Sequence, residues 1–350
     1  MIALERLNIS NFRGFDSLEI DGLSKINLFV GKNNSGKTSI LEALFLLTGM
    51  SNPILPTNVN TFRGLGLDPK QLRYLFHNLQ LENKPTFYAK FDDTSERWLE
   101  IEAKFKQNDF SNQISSVSTL EINGIGLNFA AKKSHNEKKS YKSSLIFENN
   151  NIANPNVPKD FVEILYATFI FSNVKDDAST LTRYANIVKR KGGDQILQAL
   201  KTFDENIIDI QPLNDGIYFN IRDVDELVPS NIMGDGIRRF LNIVTSISEQ
   251  QNAYILIDEI ENGLHFSAYQ LLWKSLFSFA MQNDMQLFIT THNIEILASL
   301  KSVLEETQFE NMRDCTKVFS ISKTIKSEYK AYKYPHEEFN TAIENDIELR

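Results

Sequence analysis

The sequence contains very little cysteine and no long apolar run. Its single cysteine, Cys315, excludes an internal disulfide, a CxxC redox pair and a zinc site built from several cysteines. The longest apolar runs are too short to cross a bilayer, and residues 1–9 alternate as a strand does rather than forming a signal peptide. These absences predict a soluble protein of the reducing cytoplasm that makes no membrane contact.

Positive charge is also scarce. The chain carries 37 lysines and arginines against 45 aspartates and glutamates, a formal net charge of −8. This balance argues against binding nucleic acid through bulk electrostatics. A local basic stretch remains at residues 132–142, which is typical of a solvated hairpin tip or loop; the alternative is a contact for phosphate backbone or an acidic partner.

Residues 31–38, GKNNSGKT, match the phosphate-binding pattern G-x-x-x-x-G-K-[ST] at every fixed position. An apolar run at 26–30 precedes them and predicts a buried strand, and residues 39–47 predict a helix that ends at Gly49. Backbone N–H groups and the helix dipole then create an anion site. Lys37 is predicted to bridge the outer phosphates and the Thr38 hydroxyl to bind Mg²⁺.

Two further apolar runs end in groups that suit phosphoryl transfer. The run 254–257 is followed by Asp258 and Glu259, which we expect at the carboxyl edge of a doubly wound sheet, beside the phosphate loop. Asp258 would hold Mg²⁺ through water, and Glu259 would orient or deprotonate the attacking water. The run 287–291 ends at His292, which is predicted to reach the γ-phosphate from the next strand.

Residues 230–239, SNIMGDGIRR, precede a predicted helix at 234–248. Glycines at the start of a helix form an anion-binding nest, although a plain helix cap would have the same pattern. We call this stretch the signature segment.

The rest of the chain predicts strands in its first half and mixed structure in its second. Region 50–68 has the composition of a loop, 69–79 is predicted to be helical, and 149–158 is predicted to be a linker. An antiparallel β insertion is predicted from strands at 86–91, 98–105, 117–122 and 126–130. Later elements are a strand at 166–171, two helices within 180–206 broken at Gly192, a strand pair at 207–212 and 216–221, a helix at 267–281, a hairpin at 317–321 and 330–334, and a helix at 337–347.

Taken in order, these motifs resemble the ATP-binding-cassette class of ATPases. Within that class the chain resembles the SMC/RecF branch, and most closely the OLD-type and related standalone bacterial AAA ATPases. Three stretches carry the resemblance: NFRGF at 11–15, MGDGIRR at 233–239 and DEIENGLH at 258–265. It implies an α/β fold, an ABC-type ATPase head with a P-loop parallel or mixed sheet, an antiparallel β insertion and a helical lobe. Lobe I would span residues 1–150 and lobe II residues 151–350.

The resemblance also implies roles for individual residues. The nucleotide would be held by Gly31, Asn33, Asn34, Ser35, Gly36, Lys37, Thr38 and Ser39, with Arg13 close by. Thr38 and Asp258 would bind Mg²⁺, while Glu259, His292 and Lys37 would be catalytic. Two heads of this class sandwich two ATP molecules, so Ser230, Gly234 and Gly236 would cap the γ-phosphate of the opposite subunit, and Asn262 and Gly263 would cross the interface.

Some features depart from the wider class. The signature segment lacks the LSGGQ of transporters, and Gln71 is a weak candidate for the glutamine loop. The stretch after His292 is too short for a TOPRIM nuclease domain, so we expect any nuclease in another chain. The nearest match to a guanine-reading N-K-x-D, at 83–86, lacks the aspartate, which disfavours GTP.

Three functions follow from these patterns. The first is an ATPase that dimerises on ATP as a homodimer or higher oligomer and regulates a separate nuclease or toxin, as in bacterial anti-phage systems. The second is a RecF/SMC-like ATPase of recombination or repair that binds DNA, and the third is a scaffold with structural ATP. Intact Glu259 and His292 disfavour the scaffold, and the net acidity favours the first function over the second.

Overall fold

The computed structural model describes residues 1–106, 121–134, 136–148, 151–153, 155–172, 177–248, 250–324 and 328–345. Its strands are β1 (Leu4–Phe12), β2 (Phe15–Asp21), β3 (Ile26–Val30), β4 (Thr86–Phe91), β5 (Glu96–Phe105), β6 (Ile122–Lys132), β7 (Lys139–Glu148), β8 (Asn151–Ile152), β9 (Ala167–Ile170), β10 (Ile207–Leu213), β11 (Gly216–Ile221), β12 (Val228–Pro229), β13 (Tyr254–Ile257), β14 (Gln286–Thr291), β15 (Thr316–Lys323) and β16 (Tyr329–Tyr334). Its α-helices are α1 (Lys37–Thr48), α2 (Leu55–Thr61), α3 (Asp177–Lys189), α4 (Gly193–Phe203), α5 (Asp235–Ser248), α6 (Tyr269–Gln282), α7 (Ile294–Glu305) and α8 (His336–Glu344). Within these ranges no helix combines the length and apolar character needed to cross a membrane.

A six-stranded sheet in the order β16-β15-β3-β14-β13-β9 carries the predicted motifs. Its strands run parallel except β16, which pairs antiparallel with β15. Every residue of β3, β13 and β14 is buried, as expected for parallel strands covered on both faces. Strand β14 lies between β3 and β13, so one strand separates the carboxylate strand from the phosphate-loop strand.

The second sheet has seven antiparallel strands in the order β2-β1-β4-β5-β6-β7-β8, which confirms the predicted antiparallel insertion. Helix α1 packs between the two sheets: Ile40 and Leu41 share one apolar core with Phe87 of β4 and Phe288 of β14. The start of α1, and therefore the end of the phosphate loop, is fixed by apolar contacts on both sides.

A third layer covers the opposite face of the six-stranded sheet. Helices α5, α6 and α7 contribute to a core that includes Leu28, Ile257 and Ile289. Helices α3 and α4 and the three-stranded sheet β10-β11-β12 join the same core, and the Tyr184 hydroxyl donates to the Ile210 carbonyl at 3.3 Å. This layer is the predicted helical lobe, and the signature segment leads into it at α5.

Several local predictions were wrong. Region 50–68, predicted as a loop, contains α2, which forms because Leu55, Val59 and Asn60 are buried and Asn60 donates to the Gln71 carbonyl at 2.8 Å. By contrast, the prediction that residues 69–79 are helical is confirmed, although they form two short 3₁₀ helices, Pro69–Leu75 and His77–Leu79, rather than one helix. The predicted linker contains β8 and a bridge from Asn156 to Ser144.

Other predicted elements have different bounds in the structure. The strand predicted at 126–130 is part of the longer β6, and residues 117–120 of the strand predicted before it lie outside the described residues. The basic stretch 132–142 is a hairpin end in which β7 already begins at Lys139; residue 135 is outside the described residues. Helix α7 follows His292 where the sequence had suggested no element, and the last helix ends at Glu344, with 346–350 outside the description.

Candidate active site

The phosphate loop joins β3 to α1, and its glycines have no room for a side chain. Gly36 has φ 90°, and a Cβ there would lie 2.7 Å from Cε1 of Phe15. A Cβ on Gly31 would lie 2.6 Å from the Ile321 carbonyl oxygen. Only glycine fits these two positions, because one needs a left-handed backbone and both are crowded by neighbouring strands.

Lys37 folds back over the phosphate loop. Its Nζ donates to the carbonyl oxygens of Gly31 at 2.8 Å and Lys32 at 3.0 Å. Burial lowers the pKa of Lys37, and the nearby carboxylates of Glu261, Glu259 and Asp258 act in the opposite direction. Ser35 Oγ is buried in the same loop and has no hydrogen-bond partner among the described residues. A buried hydroxyl of this kind can donate to a bound anion.

Asp258 connects the phosphate loop to the ends of β13 and β14. Its Oδ1 accepts from the Thr38 hydroxyl at 2.9 Å and from the Thr290 hydroxyl at 2.8 Å. Burial raises the pKa of Asp258, against the two hydroxyl hydrogen bonds, which lower it. The two predicted metal ligands, Thr38 and Asp258, are therefore in direct contact, although β14 separates the strands β3 and β13 that precede them in the chain.

Glu259 adopts a left-handed backbone, with φ 45°, which is rare for a residue with a side chain. Its backbone N–H donates to Thr290 Oγ1 at 2.8 Å, so one threonine fixes both acidic residues. Local strain of this kind is tolerated where the surrounding structure determines the conformation. Thr290 was not singled out in the sequence, where it was only the end of an apolar run.

His292 begins the segment after β14 and contacts Glu261. Its backbone N–H donates to Glu261 Oε1 at 2.9 Å, and its Nδ1 lies 2.9 Å from the same oxygen without the alignment of a hydrogen bond. Glu261 is buried, at 6% exposure. No role was predicted for Glu261, since its place beside His292 results from the packing of β13 against β14.

Arg13 and Arg63 share one buried carboxylate on α1. Glu42, 1% exposed, accepts from Arg13 Nε at 3.1 Å and from Arg63 Nε at 2.6 Å. Arg63 also donates to Ser39 Oγ at 3.2 Å. Burial lowers the pKa of Arg13 despite Glu42; for Arg63, burial is outweighed by Glu42 and the pKa is raised. The sequence contained no signal for Glu42 or Arg63.

A cleft of about 550 Å³ brings these groups together, and we call it the phosphate-loop cleft. Its walls combine the loop and the start of α1 with residues from five other elements or turns: Arg13, Gly14, Asn33, Asn34, Ser35, Gly36, Lys37, Thr38, Ser39, Arg63, Glu259, Thr290, His292 and Tyr329. A second pocket of about 670 Å³ opens beside Asp258 and Glu259 and has aromatic walls. Gln71 belongs to neither lining, which leaves the glutamine loop unassigned.

The signature segment lies outside the phosphate-loop cleft. Ser230 lines a separate pocket of about 590 Å³ in the helical lobe. A Cβ on Gly236 would lie 3.2 Å from the Gly263 carbonyl oxygen, whereas one on Gly234 would have no atom of the described residues within 4 Å. Within one chain, then, Ser230, Gly234 and Gly236 do not complete the site that Gly31–Thr38 begins.

Arg239 ties the signature segment to the carboxylate strand. It donates to the carbonyl oxygens of Phe171 at 2.5 Å and Asp258 at 3.0 Å. Burial lowers the pKa of Arg239 to about 10. Both of its acceptors are backbone carbonyl oxygens of the same head, so this arginine holds the signature segment against the end of the carboxylate strand.

The donor set fits a divalent cation that is shared with a nucleotide. Among the described residues no group of three or more histidine, cysteine, aspartate or glutamate side chains converges as a metal site. Thr38 and Asp258 converge on one point beside the phosphate loop, and their hard oxygen donors match the preference of Mg²⁺. An ion there would take its remaining ligands from water and phosphate oxygens.

Fold and site together define a P-loop ATPase. A family model described as "AAA domain, putative AbiEii toxin, Type IV TA system" matches residues 26–298, and the chain belongs to that family. An "ATP/GTP phosphatase" of Helicobacter pylori is 29% identical over 356 residues, covering 91% of this chain and 92% of the relative.

Two further similarities are limited, one to a short part of the chain and the other to the fold. The "DNA replication and repair protein RecF" of Idiomarina loihiensis is 50% identical over only 44 residues, 13% of this chain and 12% of that protein. The structure titled "Crystal structure of the SmcHead bound to the C-winged helix domain of ScpA" aligns with a TM-score of 0.50 at 12% identity, covering 97% of this chain and 99% of that one. The structural likeness shows that the fold is that of an SMC head.

Proposed function

We propose that this ATPase hydrolyses ATP at a composite site formed by two copies of the chain, and that ATP-dependent pairing controls a separate effector. The observation that carries the proposal is the separation of two binding elements. The phosphate-loop cleft holds the loop, Glu259 and His292, while no atom of the described residues lies within 4 Å of a Cβ placed on Gly234 in the signature segment. A second copy could place its signature segment over the cleft and complete the site.

Exposed apolar side chains near the signature segment support pairing. Ile232 is 73% exposed within it, and Phe266, which follows the Gly263 loop, is 62% exposed. The signature segment and the Gly263 loop are in contact through Gly236, so Ile232 and Phe266 lie on two segments that meet at this glycine. Large exposed apolar groups in one area are typical of a protein interaction site.

In the proposed reaction, Lys37, the loop amides and Ser35 bind the phosphates, and Glu259 orients the attacking water. Thr38 and Asp258 would hold Mg²⁺, which supplies charge neutralisation at the phosphate oxygens. Thr290 fixes Asp258 and the backbone of Glu259, and Glu261 fixes His292 at the edge of the cleft. Positioning and electrostatic stabilisation supply most of the catalysis in this reaction class.

The test is a Glu259→Gln variant, which keeps the shape of the side chain and removes its charge. We expect hydrolysis to fall by about 100-fold or more and an ATP-dependent dimer to accumulate, seen by light scattering after gel filtration. Glu337→Gln, on exposed α8, is the matched control and should behave as wild type. A monomeric Glu259→Gln protein at saturating ATP would rule out the composite site.

For the effector we propose a separate nuclease or toxin of a bacterial anti-phage system, as in OLD-type standalone ATPases. The description of the matching family names a toxin and a toxin–antitoxin system, which supports this assignment. Affinity purification of the Glu259→Gln protein from its host, with Lys37→Ala as control, would identify a partner that requires bound ATP. Recovery of equal partner amounts with both variants would contradict control by ATP.

The alternative is a RecF/SMC-like ATPase that binds DNA directly. The local RecF similarity supports it, but the outer face of the antiparallel sheet does not. There Lys84 pairs with Glu100 at 3.0 Å and Lys132 with Glu96 at 3.1 Å, so lysines of this face are neutralised by neighbouring strands. Tight binding to duplex DNA that weakens steeply with salt would favour this alternative.

A further inference from the structure

We propose that Tyr329 is the platform on which the base of the bound nucleoside triphosphate stacks. This inference rests on the proposed function, since it requires the triphosphate to occupy the phosphate-loop cleft. Of the described residues that line this cleft, Tyr329 alone contributes a phenol ring. Aromatic rings bind bases by stacking at a gain that depends little on which base is present.

The sheet topology places Tyr329 at the nucleoside end of the cleft. Strand β3 has β14 on one side and β15 on the other. Glu259 and His292 follow β13 and β14, so the reacting phosphate belongs on that side. Tyr329 begins β16 and pairs with Lys323 at the end of β15, on the opposite side of the phosphate loop. A nucleotide with its terminal phosphate at the carboxylates therefore points its base toward the β15–β16 hairpin.

The ring is held by its neighbours rather than left mobile. It packs edge to face on Phe15, with centroids 4.8 Å apart and planes at 87°. Phe15 is fully buried and also contacts Gly36 of the phosphate loop, so one side chain supports both the loop and the ring. Thr324 and Glu328 close the hairpin through Thr324 N–H to Glu328 O at 2.8 Å and Glu328 N–H to Thr324 Oγ1 at 3.2 Å.

The surroundings of Tyr329 favour a stacked base over a hydrogen-bonded one. Tyr329 is half-buried, and Lys323 Nζ lies 5.3 Å from its ring centroid. On the other side, a Cβ at Gly14 would be 3.5 Å from the Tyr329 hydroxyl, so the β1–β2 turn approaches the ring closely. Contact by stacking tolerates different bases, and we therefore expect ATP and GTP to use the same platform.

A competing place for the base is the second pocket, whose walls include Phe62, Tyr74 and Phe171. That pocket opens beside Asp258 and Glu259, where the terminal phosphate belongs, so it lies at the wrong end of the nucleotide. Tyr74 is 44% exposed and offers a direct test of this alternative.

The experiment compares ATP, GTP and inorganic tripolyphosphate by calorimetric titration without Mg²⁺, so that no turnover occurs. Tyr329→Leu should weaken ATP and GTP about tenfold each and leave tripolyphosphate unchanged, while Tyr329→Phe should bind all three as wild type. Tyr332→Leu, on the same strand and 48% exposed, controls for the hairpin, and Tyr74→Leu reports on the second pocket. In hydrolysis, Tyr329→Leu should raise KM with little change in kcat.

Three outcomes would overturn the inference: unchanged ATP binding in Tyr329→Leu, equal losses for ATP and tripolyphosphate, or a loss in Tyr74→Leu alone. The proposed function fails in a different experiment, as a Glu259→Gln protein that stays monomeric at saturating ATP. That result would leave the selective loss in Tyr329→Leu unaffected, whereas a wild type that bound neither ATP nor tripolyphosphate would remove the nucleotide site on which both proposals rest. If Tyr329→Leu unfolds, Tyr329→Thr in the same strand position keeps β propensity and is expected to show the same selective loss.

Discussion

The phosphate loop and the signature segment are both glycine-containing turns that lead into helices, yet their surroundings are opposite. Gly36 is enclosed by Phe15 and Gly31 by Ile321, whereas in the described part of the chain no atom lies within 4 Å of a Cβ placed on Gly234. The first turn is shaped by packing within the chain. The second has space around it, and that space is what a second molecule would need. Under the proposed function, the first turn is complete in a single copy and the second is completed by another copy.

The largest loss of stability should come from Glu42→Gln, which lies beside the enclosed phosphate loop. Glu42 is the buried partner of Arg13 and Arg63, and without its charge the Arg13 guanidinium is left buried and uncompensated. We expect a loss of about 3 kcal/mol in the free energy of unfolding, measured by urea titration. Asp215→Asn, at an exposed hairpin of the helical lobe, should leave the midpoint unchanged. Similar urea midpoints for Glu42→Gln and Asp215→Asn would show that the enclosed surroundings of the phosphate loop are no more sensitive to the loss of a charge than the exposed hairpin.

Gly36→Ala should have the next largest effect. The added methyl clashes with the Phe15 ring, and the alanine backbone has to keep an unfavourable positive φ. We therefore expect the free energy of unfolding to fall by about 2 kcal/mol. Phosphate binding should fall as well, because the loop has to move to relieve the clash. Thermal unfolding together with tripolyphosphate titration measures both effects. A fully stable Gly36→Ala protein would show that the loop is less constrained than Phe15 suggests.

Thr290→Val addresses the hydroxyl that joins the two acidic residues. Valine keeps the shape, so stability should fall by only about 1 kcal/mol. ATP turnover should fall by about 10- to 100-fold, because Asp258 and the Glu259 backbone lose a shared partner. Thr291→Val is the matched control: it is equally buried and its hydroxyl accepts from the Asn293 N–H, outside the cleft. Equal turnover losses in both variants would assign the effect to β14 as a whole.

The sequence predicted the local parts of the site well and the non-local parts poorly. The strand, loop and helix around Lys37, the carboxylates after β13 and the histidine after β14 follow from short patterns and were placed correctly. The pairing of Glu42 with Arg13 and Arg63 joins three separated segments, and no periodicity encodes it. Helix α2 was missed for the same reason, since its Leu-Pro-Thr-Asn-Val-Asn-Thr sequence is a poor helix former that burial stabilises. The position of β14 between β3 and β13 is likewise a property of the sheet rather than of any one strand.

The smallest effect on the isolated chain should come from Gly234→Leu, and this variant sharpens the comparison most. Its side chain enters open space, so the free energy of unfolding should change by less than about 0.5 kcal/mol. Introduced into Glu259→Gln, however, it should prevent the ATP-dependent dimer, because the added bulk lies where the second copy's nucleotide would be covered. Light scattering at saturating ATP measures the dimer, and ATP binding by the monomer should be retained. If the dimer forms undisturbed, the open space at Gly234 is not the contact with the second copy, and the exposed Ile232 and Phe266 would have to serve another partner.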